Sequence, residues 1–301
     1  MSEIKKYMDI VRLGHKSTEN VLNVGDHITI TEKIDGANSS FVLNEVGGVD
    51  CFSHKQKVTP DNTLRGFYEW VHNNIKPETL NPKYRYYGEW LVSHKIQYRP
   101  ECYQQFYMFN VYDDEKEEYL PDSVMRSEAE RLRIKTVPLF YEGDYISFEH
   151  LMSFVGKTVM GINRGEGVVV KNVDYRDKYG HQLFVKLVDA DFCEVQKEKK
   201  PKDPHKPITI EQTFVNQCLT KARVSKMLHN FVDEGIIPVD FNLENMRTIL
   251  QNIGSRLFDD IMKEEKDYLP DGYDEKLIKA AIGKKTPSIV KEIIQENEIA
   301  A

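Results

Sequence analysis

The chain has 301 residues, of which 40% are hydrophobic, 30% charged and 11% aromatic, and its formal net charge is −7. That length allows one large domain or two ordinary ones, and the composition is that of a soluble globular protein. No apolar run approaches the ~20 residues of a membrane span, and Met1 to Lys6 is polar, without the apolar core of a signal peptide. The acidic balance excludes a global basic field for recruiting polyanions, so any such contact needs a local patch. The evident candidate, Lys197, Lys199, Lys200, Lys202 and Lys206, reads first as a solvated linker. Cys51, Cys102, Cys193 and Cys218 lie far apart with no CxxC pair, which speaks against zinc ligation and a disulfide framework. Free thiols in a reducing cytoplasm are the expectation.

In chain order, His27 to Lys33 alternates as a strand, Ile28 and Ile30 on one face and Thr29, Thr31 and Lys33 on the other. Asp35-Gly36 predicts a turn, with Ser39 to Val42 starting the returning strand of a hairpin. Further short aromatic or β-branched strands are predicted at Tyr86–Leu91, Phe106–Tyr112, Gly167–Lys171 and Leu183–Val188. Helices are predicted over 61–75, 121–133 and 147–155. Gln196 to Pro207, rich in lysine and proline, predicts a linker. Beyond it the period becomes helical: Phe214, Cys218 and Ala222, then Met227, Leu228 and Phe231, then Met246, Ile249, Leu250, Ile253, Leu257 and Ile261. A last helix is predicted to begin at Thr286-Pro287, with Thr286 as N-cap. The fold class expected is α+β: a sheet-rich domain over 1–196, a linker at 197–207 and an all-helical domain over 208–301.

The sharpest local signal is Glu32-Lys33-Ile34-Asp35-Gly36. Alone it is weak, because a K-x-D-G pattern recurs by chance and a lysine at a strand end is usually a surface residue. Its context adds Tyr87-Gly88-Glu89-Trp90, Phe106 to Val111, Glu166-Gly167-Val168-Val169-Val170-Lys171 and Phe184-Val185-Lys186-Leu187-Val188, each on a predicted strand. This order and spacing resembles the covalent nucleotidyltransferases, and most closely the RNA ligase 2 family of nick-sealing RNA ligases. The likeness covers residues 30 to 195 by motif and extends more loosely into 218–265.

The resemblance implies an antiparallel nucleotidyltransferase domain and a route. Lys33 attacks the α-phosphorus of ATP, pyrophosphate leaves, and the AMP passes from lysine to an RNA 5′-phosphate that a 3′-hydroxyl then joins. Attack needs an unprotonated amine, although a free lysine titrates near 10.4. Partial desolvation and neighbouring positive charge lower that value, and Lys171, Lys186 and a bound metal are the expected sources. The same charges are expected to stabilise the transferring phosphoryl group. Mg²⁺ (or Mn²⁺) is the implied metal, with Glu166 as its protein ligand. Phe109 is implied as the ring that packs on the purine, Glu89 as the ribose contact, Glu32 as a residue near the adenine edge and Asn38 as one near the reacting 5′-phosphate. Without the resemblance Phe109 reads as core, Glu32 as a solvated strand end and Asn38 as a turn amide. Asp35 belongs to the nucleotide-binding set, and Gly36 is expected where a side chain would obstruct the backbone. The implied partner is RNA as a nicked duplex or RNA/DNA hybrid, with an end-healing kinase or phosphatase as a candidate companion and no membrane.

Two positions depart from the family pattern. His54 stands where the family usually carries arginine, and cannot give the bidentate grip of a guanidinium. The last motif often has two lysines on one strand face; here Lys186 has Val188 as its same-face neighbour. DNA ligases and GTP-using capping enzymes are the alternatives within catalysis, but both normally follow the core with an OB-fold barrel, whereas the period after Lys186 is helical. From another class, His54 and Val188 favour a degenerate nucleotidyltransferase that only binds nucleic acid, while Lys33, Glu166 and Lys186 together favour catalysis. In the helical domain, Lys221, Arg223, Lys226 and Arg247 are candidate duplex contacts; each alone reads as a solvated helix face.

Overall fold

Alternation of side chains builds the first half of the molecule. In His27–Glu32, Ile28 and Ile30 are fully buried on one face while Thr29 and Thr31 are buried on the other, as in a strand covered on both sides. The computed structural model describes residues 3–14, 16–18, 20–189 and 209–300. The chain divides into two units, Met1–Asp189 and Ala190–Ala301. The linker expected at 197–207, its lysine run and Cys193 lie outside the described residues.

The first unit carries strands β1 (Val11–Arg12), β2 (His27–Glu32), β3 (Ala37–Leu43), β4 (Val49–Ser53), β5 (Lys57–Val58) and β6 (Tyr84–Trp90). They are followed by β7 (Phe106–Asp113), β8 (Glu118–Tyr119), β9 (Lys135–Thr136), β10 (Leu139–Asp144), β11 (Gly167–Lys171) and β12 (Val185–Val188). Helices α1 (Phe67–Asn74), α2 (Asp122–Leu132) and α3 (Phe148–Met152) are shorter than the spans read from sequence but fall within them.

Strands β2 and β3 do not form the expected hairpin. β2 lies between β11 and β10 in a five-stranded sheet of order β1-β12-β11-β2-β10. β3 lies between β4 and β6 in a second sheet of order β5-β4-β3-β6-β7-β8, with β9 paired to β7. Residues 33–36 are therefore a crossover between sheets. Their backbone donors are met by other elements rather than by a turn: Lys33 N–H by the Gly167 carbonyl, Asp35 N–H by the Tyr98 hydroxyl and Gly36 N–H by Glu89. A dipeptide that resembles a turn was thus used to change sheets, which local patterning cannot distinguish.

One face of the first sheet packs Ile28, Ile30, Val168, Val170, Val185 and Leu187 with Leu151. One face of the second packs Phe41, Tyr86, Trp90, Phe106 and Met108 against Phe67 and Val71 of α1 and Met125 and Ala129 of α2. A third cluster joins the two sheets: Tyr87, Tyr112 and Tyr119 from the second, Phe184 at the entry to β12, and Tyr7 from the N-terminal segment.

The second unit is helical: α4 (Ile210–Cys218), α5 (Lys221–Asp233), α6 (Met246–Glu264) and α7 (Glu275–Ala300). Thr209 opens α4 with a full capping box to Gln212. The last helix does not begin at Thr286. α7 runs through Pro287, and the Thr286 hydroxyl donates to the Ile282 carbonyl instead of capping. Apolar packing overrides the proline, because Ile278 and Ile282 before it and Val290, Ile293 and Ile294 after it enter the same core. Arg223 also departs from its reading as a solvated face: it is 1% exposed and bonds Glu265 at 2.5 Å and Asp260 at 2.8 Å inside the unit. Lys221 is held by Glu292 and Glu296, whereas Lys226 and Arg247 are exposed.

Candidate active site

Lys33 leaves β2 at the crossover, and its amine meets Glu166 at 2.6 Å. Glu166 comes from the neighbouring strand of the same sheet, immediately before β11, and the Lys33–Gly167 backbone bond fixes the two segments at that height. Asp35 is held by its own frame: its carboxylate accepts from the backbone N–H groups of Lys95 (2.9 Å) and Ile96 (3.1 Å), with His94 Nδ1 at 3.5 Å. Glu89, on β6, accepts from Gly36 N–H at 3.0 Å and is in register with Asn38 on β3. The structure thus brings Lys33, Asp35, Gly36, Asn38, Glu89 and Glu166 together. Gly36 is required by close approach: a Cβ there would stand 2.6 Å from the Trp90 carbonyl oxygen.

The electrostatics of the amine differ from the sequence expectation. Burial is the largest influence on Lys33 and pushes its pKa down, but the Glu166 carboxylate, with Asp35 and Glu89, outweighs it, so the net shift is upward. In this state Lys33 is an ammonium. Lys171, expected to help lower it, is spent elsewhere: its amine bonds Asp122 at 3.0 Å, and both side chains are nearly inaccessible. Glu89 shifts the other way for a carboxylate. Burial pushes it up to about 8, against the opposing pull of Lys33, His94 and the Gly36 N–H. The site therefore holds one buried carboxyl with a raised pKa beside one cation.

Phe109 is placed by a bulge. Tyr87 pairs with Asn110 and Gly88 with Met108, leaving Phe109 as the extra residue of β7, a device that re-aims a side chain. Its half-buried ring contacts Tyr7 at a centroid distance of 4.8 Å, and its carbonyl accepts from the Lys171 amine. The Lys171–Asp122 pair is itself braced by Thr29, whose hydroxyl donates to Asp122. Lys171 accordingly shapes the platform under Phe109.

Register places Thr31, Val169, Lys186 and Arg12 in one row across the first sheet. Lys186 and Lys171 occur at alternate positions on that face with Lys33. Glu32 points to the opposite face, where its carboxylate binds the Thr158 hydroxyl and, at 2.8 Å, Val159 N–H. His54 lies half-buried in the bend between β4 and β5.

Sequence reading missed Tyr98, His94, Thr158 and Arg12. The first three sit in loops without periodicity, and β1 is too short to give a strand signal. Arg12 was visible only through its pairing with Lys186.

The set of donors suits a hard divalent cation held by one protein carboxylate. Glu166 is such a donor, and among the described residues no group of three or more His, Cys, Asp or Glu is arranged to hold a metal by itself. An ion of that kind completes its shell with phosphate oxygens and water.

A lysine at the crossover of two antiparallel sheets, flanked by carboxylates from both, defines a nucleotidyltransferase-type fold. The chain belongs to the RNA ligase family, whose model, described as RNA ligase, matches residues 26–188. The fold is similar to that of a Naegleria gruberi RNA ligase with PPi, at a TM-score of 0.51 and 21% identity, over 63% of this chain and 57% of that one. A mutant of the same ligase with ATP and Mn gives a TM-score of 0.51 and 20% identity over the same shares, 63% and 57%. At that identity the likeness speaks for fold. The chain spans 57% of the length of these solved structures. No curated protein matches the chain. No helix among the described residues is long and apolar enough to cross a membrane.

Proposed function

We propose that this protein is an ATP-dependent RNA ligase that seals 3′-OH/5′-phosphate ends, nicks in duplex RNA or RNA/DNA hybrid above all, through a lysyl-AMP intermediate. The observation that carries the reading is the Lys33–Glu166 contact of 2.6 Å, with Glu89 and Asp35 beside it, in a chain of the RNA ligase family. In the first step the Lys33 nitrogen forms a bond to the α-phosphorus, the α–β bridging P–O bond breaks, and pyrophosphate departs with that electron pair. The ammonium must first lose its proton, which the Glu166 carboxylate in contact with it holds in place. Glu166 would hold a divalent cation, which would supply positive charge to the phosphates and weaken the carboxylate's hold on that proton. In the second step a 5′-phosphate oxygen displaces lysine from the AMP, and in the third a 3′-hydroxyl oxygen attacks that phosphate and releases AMP.

Phe109 offers the face on which a purine stacks, and Glu89, whose charge acts on Lys33, is assigned to a ribose hydroxyl. Asn38, in register with Glu89, lies where the 5′-phosphate end would approach. Lys186 and Arg12, side by side in register, are the cations for the triphosphate tail; Arg12 offers the second positive charge that Val188 does not. The helical unit, 208–301, is assigned to docking of the nucleic acid through exposed positions such as Lys226 and Arg247.

The test uses ATP labelled at the α-phosphorus with Mg²⁺ or Mn²⁺. Label that survives denaturation of the wild-type chain and is lost in Lys33→Ala supports the reading; an unlabelled wild type refutes it. Labelling by GTP instead would redirect it to a capping enzyme. Nicked duplexes with RNA or DNA on the 3′-OH side then separate RNA from DNA sealing. Deleting 208–301 should spare labelling and impair sealing.

A further inference from the structure

Two loops grip the residues on either side of Lys33, and both display cations. The first, 93–101, holds Asp35 through the N–H groups of Lys95 and Ile96 and through the Tyr98 hydroxyl. The second, 157–165, holds Glu32 through Thr158 and Val159. They are joined to each other: Arg99 N–H donates to the Met160 carbonyl at 3.1 Å and Ile162 N–H to the Gln97 carbonyl at 3.0 Å. Together they form one rim on the nucleophile's own supports.

The charge of that rim opposes the charge of the chain. In a protein of net charge −7, these loops expose Lys95, Arg99, Lys157 and Arg164, and the exposed carboxylate among them is Glu101, 3.1 Å from Arg99. Val159 and Ile162, 53% and 56% exposed, lie between the cations.

A strained segment adds a further cation. Leu64, Arg65 and Gly66 all adopt the left-handed region, with φ of 49°, 55° and 98°, a conformation non-glycine residues keep only when their surroundings impose it. Buried Leu64 and the bond from the Trp90 indole N–H to the Arg65 carbonyl impose it here. The result is an Arg65 guanidinium on the Ser93 carbonyl, at the root of the first loop.

We infer that this rim is a phosphate track: the backbone of the RNA beside the break runs along loops 93–101 and 157–165, contacted by Arg65, Lys95, Arg99 and Lys157. The proposal rests on the ligase reading for the identity of the RNA end, but the contact itself is electrostatic. Such contacts release counterions, so affinity falls linearly with salt on logarithmic axes, with a slope of about one per phosphate contacted.

The full-length protein is titrated against a fluorescent nicked RNA duplex over a range of KCl, as wild type, as Lys95→Ala/Arg99→Ala/Lys157→Ala and as Lys116→Ala, an exposed control off the rim. The triple variant is expected to form lysyl-AMP at the wild-type rate, to bind the duplex more weakly at low salt, and to lose about two to three from the salt slope. The control should match wild type. Unchanged affinity and slope in a triple variant that still forms lysyl-AMP would overturn the proposal, as would wild-type binding that ignores salt. If the triple variant lacks a cooperative melt, Lys95→Ala alone must lower the slope by about one or the track is refuted. If the wild type takes no AMP yet the rim variants lose RNA, the track stands and the ligase reading falls.

Discussion

Replacing Gly36 with alanine is expected to slow lysyl-AMP formation about 100-fold without abolishing the fold. The added Cβ would lie 2.6 Å from the Trp90 carbonyl oxygen, 3.0 Å from Glu89 Cγ and 3.3 Å from Leu91 Cα. Non-bonded carbon contacts settle near 3.5–4.0 Å, so the shortest falls short by roughly 1 Å. Trp90 cannot yield readily. It is 1% exposed, packed on Phe67 and Trp70, and in register with Ala37. The crossover must move instead, carrying Lys33 away from Glu166 and stripping Glu89 of the Gly36 N–H. Overpacking of this kind costs about 1–3 kcal/mol of stability, and a misplacement near 1 Å at a reacting group costs about 10²-fold in rate. Single-turnover labelling with α-labelled ATP measures the rate, and urea unfolding measures the stability. Gly254→Ala is the comparison: in α6, with nothing within 4 Å of its Cβ, it should gain about 0.5–1 kcal/mol and label normally. Wild-type labelling by Gly36→Ala would refute the close-approach reasoning.

Lys171→Ala should cost about 3–5 kcal/mol in urea unfolding, because it strands the buried carboxylate of Asp122; a loss of labelling with unchanged stability would contradict the bracing role and restore a direct catalytic one. Arg12→Ala should raise the KM for ATP by roughly ten- to a hundredfold, the weight of a charge-assisted contact, with Lys partly restoring it; an unchanged KM removes Arg12 from the triphosphate. Glu89 carries a folded pKa of about 8 against an ordinary 4.5, so its protonation stabilises the fold below about 4.5 and that contribution is lost as pH rises through about 8. Melting temperatures should therefore decline across that window, and Glu89→Gln should flatten the decline; an equal slope in the variant would refute the shift.

The parts of the site legible in the sequence are those fixed by short-range pattern. Alternation located β2, aromatic and β-branched content located β6, β7, β11 and β12, and the resemblance to RNA ligases singled out Lys33, Glu89, Glu166 and Lys186 on or beside them. What alternation could not reveal was pairing. Asp35-Gly36 has turn chemistry, yet β2 and β3 belong to different sheets, because the donors of 33–36 are satisfied by Gly167, Tyr98 and Glu89 rather than by each other. Parity did put Glu32 and Lys33 on opposite faces, and the carboxylate of Glu32 follows that parity to Thr158. Pro287 gave a helix start by local rule, whereas the isoleucines on both sides of it decided a continuous α7. Charged residues were the least legible class: Arg223 and Lys171 look like solvated or catalytic cations until their buried partners are seen.

The departures at His54 and Val188 bear on where positive charge enters the reaction. A family member lacking two of its usual cations must obtain charge from elsewhere or lose activity. Lys171 is not available, since Asp122 neutralises it at 3.0 Å. Two sources remain in view. Arg12 stands beside Lys186 in register, one strand further from Lys33, and in the proposed reaction would serve the leaving pyrophosphate rather than the nucleophile. The second is the cation expected at Glu166, which has to act on Lys33 through the carboxylate the amine already contacts. Adenylation should then depend on the divalent ion more steeply than ATP binding does, because binding has Lys186 and Arg12 while deprotonation of Lys33 has only that ion. Titrating Mn²⁺ against ATP affinity and against labelling rate separates the two, and parallel dependences would mean that Lys33 loses its proton by another path.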